Sequence, residues 1–403
     1  MALHITLTPG RIAGWMMLGF LGAVGVHSLV PYGHTSDLLL ASIILGSIVP
    51  VAVTRIRALI ALLLIVASVA FGWWRFERAP VPKLQRIGSH QLIMKAKDDS
   101  FLSRWRAGLS HRVASVLPLE DATLVTGVLY GDQALTTEQK ARFRSAGLMH
   151  LVAVSGSNVT VVVQVMVLFA MRLKFKRRTM FWAVSAALLF FTLFVGMSAS
   201  VVRAAFMAWL MLLAYEVGRP ALSSRLLLVA ATVLVMVHPW QLFFDAGFAL
   251  SFLAMWGLFT LVPIFERWLK WIPNWFETRT TISMTLAATI ATAPYQAWAF
   301  GQLSLAGLFT NVLALPLIPF VMGWGAATAA WGDMRGHEVV SIPTLGLVRV
   351  IDAIASLADK TPWIQFEMKG VSLTVLIACY VVLVYFVRQC GGKTDLSTQK
   401  EGC

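Results

Sequence analysis

The chain has 403 residues, of which 58% are hydrophobic and only 13% are charged. A soluble domain averages about 45–50% apolar and about 25% charged residues, so this composition excludes an ordinary soluble protein and predicts an integral membrane protein. The net charge of +14 is compatible either with basic cytoplasmic loops, which multi-pass proteins generally have, or with an anionic partner such as nucleic acid.

Apolar runs long enough to cross a bilayer, about 20 residues each, occur along the whole chain. We predict an all-α, multi-pass membrane fold of about 10–11 transmembrane helices. The predicted spans are residues 13–30, 37–53, 58–74, 148–170, 179–197, 199–216, 225–238, 242–264, 281–300 and 371–388. The apolar segment 303–331 contains Pro316 and Pro319, so it is either one kinked span or a hairpin that enters and leaves on one side. Residues 348–360 mix apolar and ionisable side chains at helical spacing, which predicts a helix on the membrane surface.

The orientation of these spans follows from the positive charge of the short loops. Residues 172–178 contain five Lys or Arg. If this loop is cytoplasmic, residues 75–147 lie outside, and Arg388 lies inside provided that 303–331 returns to the outer side. The loop 75–147 is also basic, with twelve Lys or Arg against seven Asp or Glu. We therefore predict an external basic loop with amphipathic segments.

The centre of this loop carries cations beside an aromatic ring. The residues concerned are Arg104, Trp105, Arg106 and Arg112. Single-stranded nucleic acid is bound by such sets, because bases stack on aromatic rings and phosphates pair with cations. The alternative is an amphipathic helix that rests on anionic lipid headgroups.

Polar side chains inside apolar runs are costly, which makes them candidates for function. This group consists of His150, Ser155, Asn158, Ser198, Ser200, Arg203, Asp245, Ser251, Gln296 and Asn311. With the orientation above, all of them fall in the outer half of the bilayer, which predicts a polar vestibule open to the outside. Arg203 and Asp245 would lie at similar depth and could form an ion pair, with a role in lining the path or in packing. Pro294, Pro316 and Pro319 predict kinks or hinges that free backbone carbonyl groups.

Four ordered motifs, with a lead-in at 124–148, carry a family resemblance. Residues 150–156 read HLVAVSG, 196–204 read GMSASVVRA, and 245–252 read DAGFALSF. Residues 294–316 fit the pattern PxxxxxFGxxSxxxxxxNxxxxP. Together they resemble the competence domain of the ComEC family, the membrane channel of natural transformation.

The resemblance implies a channel that passes one DNA strand across the bacterial cytoplasmic membrane. It implies single-stranded DNA and membrane lipids as partners, with an external DNA receptor, a separate nuclease, a cytosolic helicase-like motor and a possible homodimer. The chain departs from the family at Asn158, where relatives usually have histidine. We expect no metallo-β-lactamase-like domain and at most a reduced OB-like insert.

The expected organisation is an N-terminal three-helix region (1–74), the basic external loop (75–147), a competence-type channel domain (148–390) and a polar tail (391–403). A serine hydrolase is disfavoured, because His150 and Ser155 lie about 140° apart around a helix. We expect no enzyme activity, no cofactor and no metal site. The alternative function is a permease for a small solute, for which a polar vestibule would serve equally well.

Overall fold

The computed structural model describes residues 9–28, 64, 66–72, 74–75, 101–132, 135–152, 154–218, 223–274, 278–304, 306–332, 334–360, 365–367 and 370–391. These residues are almost entirely helical, and the helices are α1 (Pro9–Ser28), α2 (Phe101–Val116), α3 (Leu119–Tyr130), α4 (Thr137–Ser145), α5 (Met149–Val152), α6 (Gly156–Arg172), α7 (Arg177–Val195), α8 (Ala199–Glu216), α9 (Ser223–Val237), α10 (Gln241–Phe244), α11 (Ala246–Trp268), α12 (Thr278–Phe300), α13 (Ala306–Ala314), α14 (Ile318–Trp331), α15 (Glu338–Asp359) and α16 (Leu373–Gly391). The predicted span at 37–53 and most of the tail lie outside the described residues.

Six helical segments of the described chain are long and apolar enough to cross a bilayer. They are Arg177–Val195, Ala199–Glu216, Ala246–Trp268, Ala306–Trp331, Glu338–Asp359 and Leu373–Cys390. Shorter apolar helices occur at Ala13–Gly25, Gly156–Arg172 and Arg225–Val237. The predicted span 281–300 coincides with α12, which is rich in threonine and less apolar than these six. The all-α, multi-pass fold predicted from the sequence is confirmed.

The chain divides into two compact units, and the first consists of residues 1–92 and 220–252. Its core joins α1 to α9 and to the start of α11, with Phe20, Val24, Val235 and Phe248 buried. A side chain at Gly72 would lie 2.8 Å from the carbonyl oxygen of Phe20, so the helical residues 66–72 pack closely on α1.

The second unit, residues 93–219 and 253–403, contains three hydrophobic cores. The largest joins α2, α3, α4 and α5 to α13, α14 and α15. A second core lies among α6, α7 and α8. A third lies between α11, α12 and α16, where Leu261, Ala287 and Ala291 are fully buried. The described part of the predicted external loop is therefore folded into helices that share a core with later parts of the chain.

Two predicted spans are interrupted by short breaks in the helical backbone. The span predicted at 148–170 comprises α5 and α6, and Ser155 precedes α6 in an extended conformation. The span predicted at 242–264 comprises α10 and α11, separated by Asp245, which is also extended. The Asp245 carboxylate accepts a hydrogen bond from the Gly247 backbone N–H at 2.8 Å, so it caps the start of α11.

The proline-containing segment is one helical run and not a hairpin. Residues 306–332 are helical throughout, with a 3₁₀ turn at Leu315–Leu317 between α13 and α14. Pro316 lies in this turn and Pro319 in the first turn of α14, where a missing N–H costs least. Pro294 lies inside α12.

The predicted surface helix at 348–360 is instead the second half of α15, which packs into the largest core. Val348, Ile351 and Ala355 are buried there, whereas Val350 and Leu357 are exposed. Periodicity predicted the helix, but its packed face is formed by residues three to four apart starting from Ser341 and not by the most apolar stripe.

Helix α15 runs antiparallel to α14. The Thr328 hydroxyl lies 2.8 Å from that of Thr344 and donates to the Val340 carbonyl oxygen at 3.1 Å. Strand β1 (Gln302–Ser304) before α13 pairs antiparallel with strand β2 (Gln365–Glu367) after α15. The chain therefore returns, after α15, to the place where α13 began. The return is made by α15 and not within 303–331, so the condition attached to Arg388 is not met in the form predicted, and the location of Arg388 stays a prediction.

Candidate functional site

The lead-in segment and the 150–156 segment lie side by side in the second unit. A side chain at Gly127 would lie 2.7 Å from Val152 Cγ1, and one at Gly131 would lie 3.1 Å from Val154 Cγ2. Gly131 also has φ +73°, which favours glycine, and it ends α3. These glycines let α3 approach the chain between α5 and α6 at backbone distance.

Asn158 fixes the same contact from the first turns of α6. Its Nδ2 donates to the Val128 carbonyl oxygen at 2.7 Å, and its Oδ1 accepts from the Ser157 hydroxyl at 3.2 Å. Val128 lies in the last turn of α3, where carbonyl groups have no donor within the helix. Asn158 is completely buried (0% exposed), so in this conformation it caps α3 and does not face a path.

The 150–156 and 196–204 motifs are in contact through Gly156 and Ala204. A side chain at Gly156 would lie 3.5 Å from Ala204 Cβ, so the start of α6 packs directly on α8. Arg203, beside Ala204, is only 5% exposed. Ser155 and Ser157 share a hydrogen bond of 2.6 Å at the start of α6. Because the first N–H groups of a helix lack intrahelical acceptors, the start of α6 presents donors together with hydroxyls.

The turn that leads into α8 has an unusual backbone. Gly196 has φ +92° and Met197 has φ +55°, so two successive residues are left-handed. Ser198 then precedes α8 without a side-chain cap, and its buried hydroxyl has no hydrogen-bond partner within the described part of the chain. Ser200 is half-buried in the first turn of α8.

The fourth motif reaches the same region through α13. The Thr310 hydroxyl donates to the Ala146 carbonyl oxygen at 2.8 Å, and a side chain at Gly307 would lie 3.8 Å from Gly147 Cα. Asn311, next to Thr310, has a buried Oδ1 without a partner among the described residues. Three of the four motifs and the lead-in thus meet around residues 127–158. Sequence reasoning did not select Thr310, because threonine in an apolar helix gives no signal beyond its hydroxyl.

The remaining channel-lining candidates make local contacts. His150 Nδ1 lies 3.0 Å from the Gly147 carbonyl oxygen. Ser251 donates to the Gly247 carbonyl oxygen of its own helix, and Gln296 donates to the Thr292 hydroxyl one turn earlier. Asp245 belongs to the first unit and Arg203 to the second, so their ion pair stays a prediction.

The DNA-contact candidates on α2 divide into two kinds. Arg104 is exposed. Trp105 packs edge-on against the Phe194 ring at 5.3 Å, and Arg106 donates to the Phe194 carbonyl oxygen at 3.3 Å. Arg112 donates to the Ala330 carbonyl oxygen at 3.5 Å. Three of the four side chains therefore contact other helices, although Trp105 and Arg112 remain exposed and only Arg106 is partly buried.

Ion pairs that the sequence reasoning missed join α3 and α4 to α15. Arg142 lies 3.0 Å from the Asp352 carboxylate, and Arg349 lies 3.6 Å from Asp121. Burial raises the pKa of Asp121, although the Arg349 guanidinium acts in the opposite direction. Arg349 and Asp352 lie three positions apart on α15, and this spacing places them on one face.

A small cavity of about 10 Å³ lies in the largest core. Its lining is wholly apolar, with Leu124, Phe143, Ile318 and Ile351 among the residues that form it. A cavity of this size holds at most one water and offers it no polar partner, so it is not a passage for a charged substrate. Among the described residues, no cluster of three or more His, Cys, Asp or Glu is placed to hold a metal ion.

The fold and the clustered motifs define a multi-pass helical membrane protein with its functional candidates at the helix ends. The model of the Competence protein family matches residues 128–391, well over half of the chain, and the chain belongs to this family. It is a multi-pass protein of the bacterial cell membrane.

One curated relative is ComE operon protein 3 of Bacillus subtilis (strain 168), which is 28% identical over 216 residues. The match covers 53% of this chain but only 26% of that relative. No solved structure matches the chain.

Proposed function

We propose that the chain forms the membrane channel through which single-stranded DNA is imported during natural transformation. Membership of the Competence protein family and the likeness to ComE operon protein 3 support this proposal. So does the basic segment 75–147, whose charge suits a polyanionic substrate. The proposal assigns the chain no enzymatic step. An external DNA receptor, a separate nuclease and a cytosolic helicase-like motor are the partners it requires, and a homodimer stays a prediction.

The observation that carries the proposal is the contact between the starts of α6 and α8. Two motif segments meet there through small residues, Gly156 and Ala204, and small residues allow helices to approach closely. Hydroxyls of Ser155, Ser157 and Ser198 lie at the two helix starts, where the helix dipoles favour negative charge. We assign the entrance of the path to this α6–α8 seam.

Passage of a strand requires the seam to open. Arg203 lies one residue from Ala204 and is almost completely buried in the closed arrangement. A buried cation beside a seam of small residues becomes available to phosphate when the helices separate, which offsets part of the cost of moving a polyanion into the membrane. Arg203 is therefore our candidate for the first charge that a strand meets inside the seam.

A reversible cross-link tests the assignment of the seam. The Cβ position of Gly156 and Ala204 Cβ are 3.5 Å apart, within the range of disulfides. The double variant Gly156→Cys, Ala204→Cys should be made in a background in which Cys379, Cys390 and Cys403 are serine. In a transformable host lacking the native gene, we expect oxidation to block uptake of labelled DNA and reductant to restore it.

The two single-cysteine variants are the controls, since they carry the same substitutions without a cross-link. Full uptake by protein shown to be cross-linked would refute the seam as the path. The channel function itself is tested by deletion of the gene. Transformation that survives deletion would refute the function, whatever the cross-link does, and would leave the small-solute permease as the alternative.

A further inference from the structure

Two arginines of α2 donate hydrogen bonds to carbonyl groups in the last turns of other helices. Arg106 donates from Nη1 to the carbonyl oxygen of Phe194, in the last turn of α7. Arg112 donates from Nη1 to the carbonyl oxygen of Ala330, in the last turn of α14. The last four carbonyl groups of a helix have no intrahelical donor, and the helix dipole makes this end attractive to a cation.

Both helix ends are shaped to receive the arginine. Helix α7 ends at Gly196 and α14 at Gly332, with φ +92° and +61°. A side chain at Gly196 would lie 2.9 Å from Arg106 Nη1, and one at Gly332 would lie 3.1 Å from Arg112 Cδ. The glycines therefore supply both the left-handed backbone and the space in which the arginine lies.

The neighbouring tryptophan strengthens the contact at α7. Trp105 packs edge-on against the ring of Phe194, the same residue whose carbonyl group Arg106 contacts. The Phe194 ring also meets Tyr130 of α3 edge-on at 5.5 Å. Phe194 is thus held through both its ring and its backbone, two residues before the left-handed turn that leads to α8.

The same arrangement occurs independently in the first unit. Arg75 donates from Nε to the Met236 carbonyl oxygen and from Nη2 to that of Val237, both at 2.9 Å, at the end of α9. Capping of helix ends by remote arginines is therefore a repeated feature of this chain. It also gives a reason, other than nucleic-acid binding, for part of its excess positive charge.

We propose that Arg106 and Arg112 are positioning residues that cap α7 and α14, and that Arg104 is the cation of α2 that contacts the strand. Arg106 holds the 196–198 turn, and through it the start of α8 at the α6–α8 seam. Arg112, at 3.5 Å, makes the longer of the two bonds and contributes less. The assignment of Arg104 rests on the proposed function, whereas the assignment of the caps does not.

A cysteine in place of Ser198 reports the state of this turn. The Ser198 hydroxyl is buried, so a thiol at this position reacts only when the turn opens. The experiment uses purified protein in detergent, with the three native cysteines replaced by serine, and measures the rate of thiol labelling of Ser198→Cys. We expect Arg106→Ala to increase that rate by roughly 3- to 30-fold, the upper part of the range for a charge at a helix end, because Arg106 is partly buried.

Arg104→Ala is the matched control, since it removes the same side chain from the same helix. It should leave the labelling rate within about 2-fold, while it weakens binding of a fluorescent single-stranded oligonucleotide and lowers the salt dependence of that binding. Arg106→Lys keeps the positive charge but lacks the fork-shaped guanidinium donor. Its labelling rate should therefore lie between those of the unsubstituted Arg106 protein and Arg106→Ala. Protein yield and melting temperature show whether each variant folds.

Three results would overturn parts of the proposal. Unchanged labelling in Arg106→Ala would refute the cap at α7. Equal labelling increases in Arg104→Ala and Arg106→Ala would refute the division between them. Unchanged oligonucleotide affinity in Arg104→Ala, with the wild-type protein binding well, would refute the strand contact at Arg104. Failure of the proposed function is distinct, because transformation would then survive deletion of the gene while the caps behaved as expected.

Discussion

Asn158→Ala should destabilise the second unit through a single lost hydrogen bond. The Asn158 amide donates to the Val128 carbonyl oxygen at 2.7 Å in a site with no exposure to solvent. Removal of the donor leaves a buried carbonyl group without a partner, which costs about 1–3 kcal/mol. Each kcal/mol shifts the melting temperature of a domain of 150–250 residues by about 2–4 °C, and the second unit is somewhat larger, so we expect a decrease of at most about 12 °C.

The assay is thermal unfolding of the purified protein in one detergent, followed by tryptophan fluorescence. Thr160→Ala is the control, because Thr160 is exposed, lies on the same helix and, among the described residues, bonds to the Gly156 carbonyl oxygen of that helix. Asn158→Asp should lower the melting temperature further, since it places a buried carboxylate against a carbonyl oxygen. If Asn158→Ala and Thr160→Ala have the same melting temperature, the hydrogen bond from Asn158 to α3 does not stabilise the fold as we argue.

Two further predictions concern α3. Gly127→Ala should lower the melting temperature, because the new methyl group would lie 2.7 Å from Val152 Cγ1, whereas Gly108→Ala, with nothing within 4 Å, should be neutral or stabilising; equal effects would contradict the close packing. Burial raises the pKa of Asp121 above its usual 3.8 despite the nearby Arg349 guanidinium. A carboxyl group with a raised pKa stabilises the fold at low pH, and this contribution is lost as the pH rises through the folded-state pKa. The difference in melting temperature, wild type minus Asp121→Asn, should therefore increase as the pH falls from 7 to 4. A difference that stays constant over this range would refute the raised pKa of Asp121.

Hydropathy predicted most of the described membrane helices, and for α8 it gave the bounds that the structure has, 199–216. It failed at the short breaks before α6 and α11, because Ser155 and Asp245 interrupt the backbone without changing the apolar average. It also failed for α15, where tertiary packing and ion pairs to α3 and α4 select the buried face. The average apolarity of a segment measures the free energy of its transfer from water into the membrane. Helix breaks and packed faces depend instead on partners elsewhere in the chain.

The residues of the candidate site were selected from the sequence, but their partners were not. Asn158, Arg106 and Arg112 all donate to backbone carbonyl oxygens in the last turns of other helices. A carbonyl group is present at every position, so it leaves no signal in the sequence by which a partner could be found. The positive-φ glycines Gly196 and Gly332 are the one available signal, since glycine commonly marks a helix end.

The two faces of α6 separate the stability of the fold from the opening of the seam. Gly156 contacts α8 and Asn158 contacts α3, and positions two residues apart lie about 200° around a helix. The seam can therefore open while the bond from Asn158 to Val128 stays intact. It follows that Asn158→Ala should reduce the amount of folded protein but leave DNA uptake per folded molecule unchanged at a permissive temperature. The disulfide cross-link between positions 156 and 204 should do the reverse, and a loss of uptake per folded molecule in Asn158→Ala would show that α3 moves with the seam.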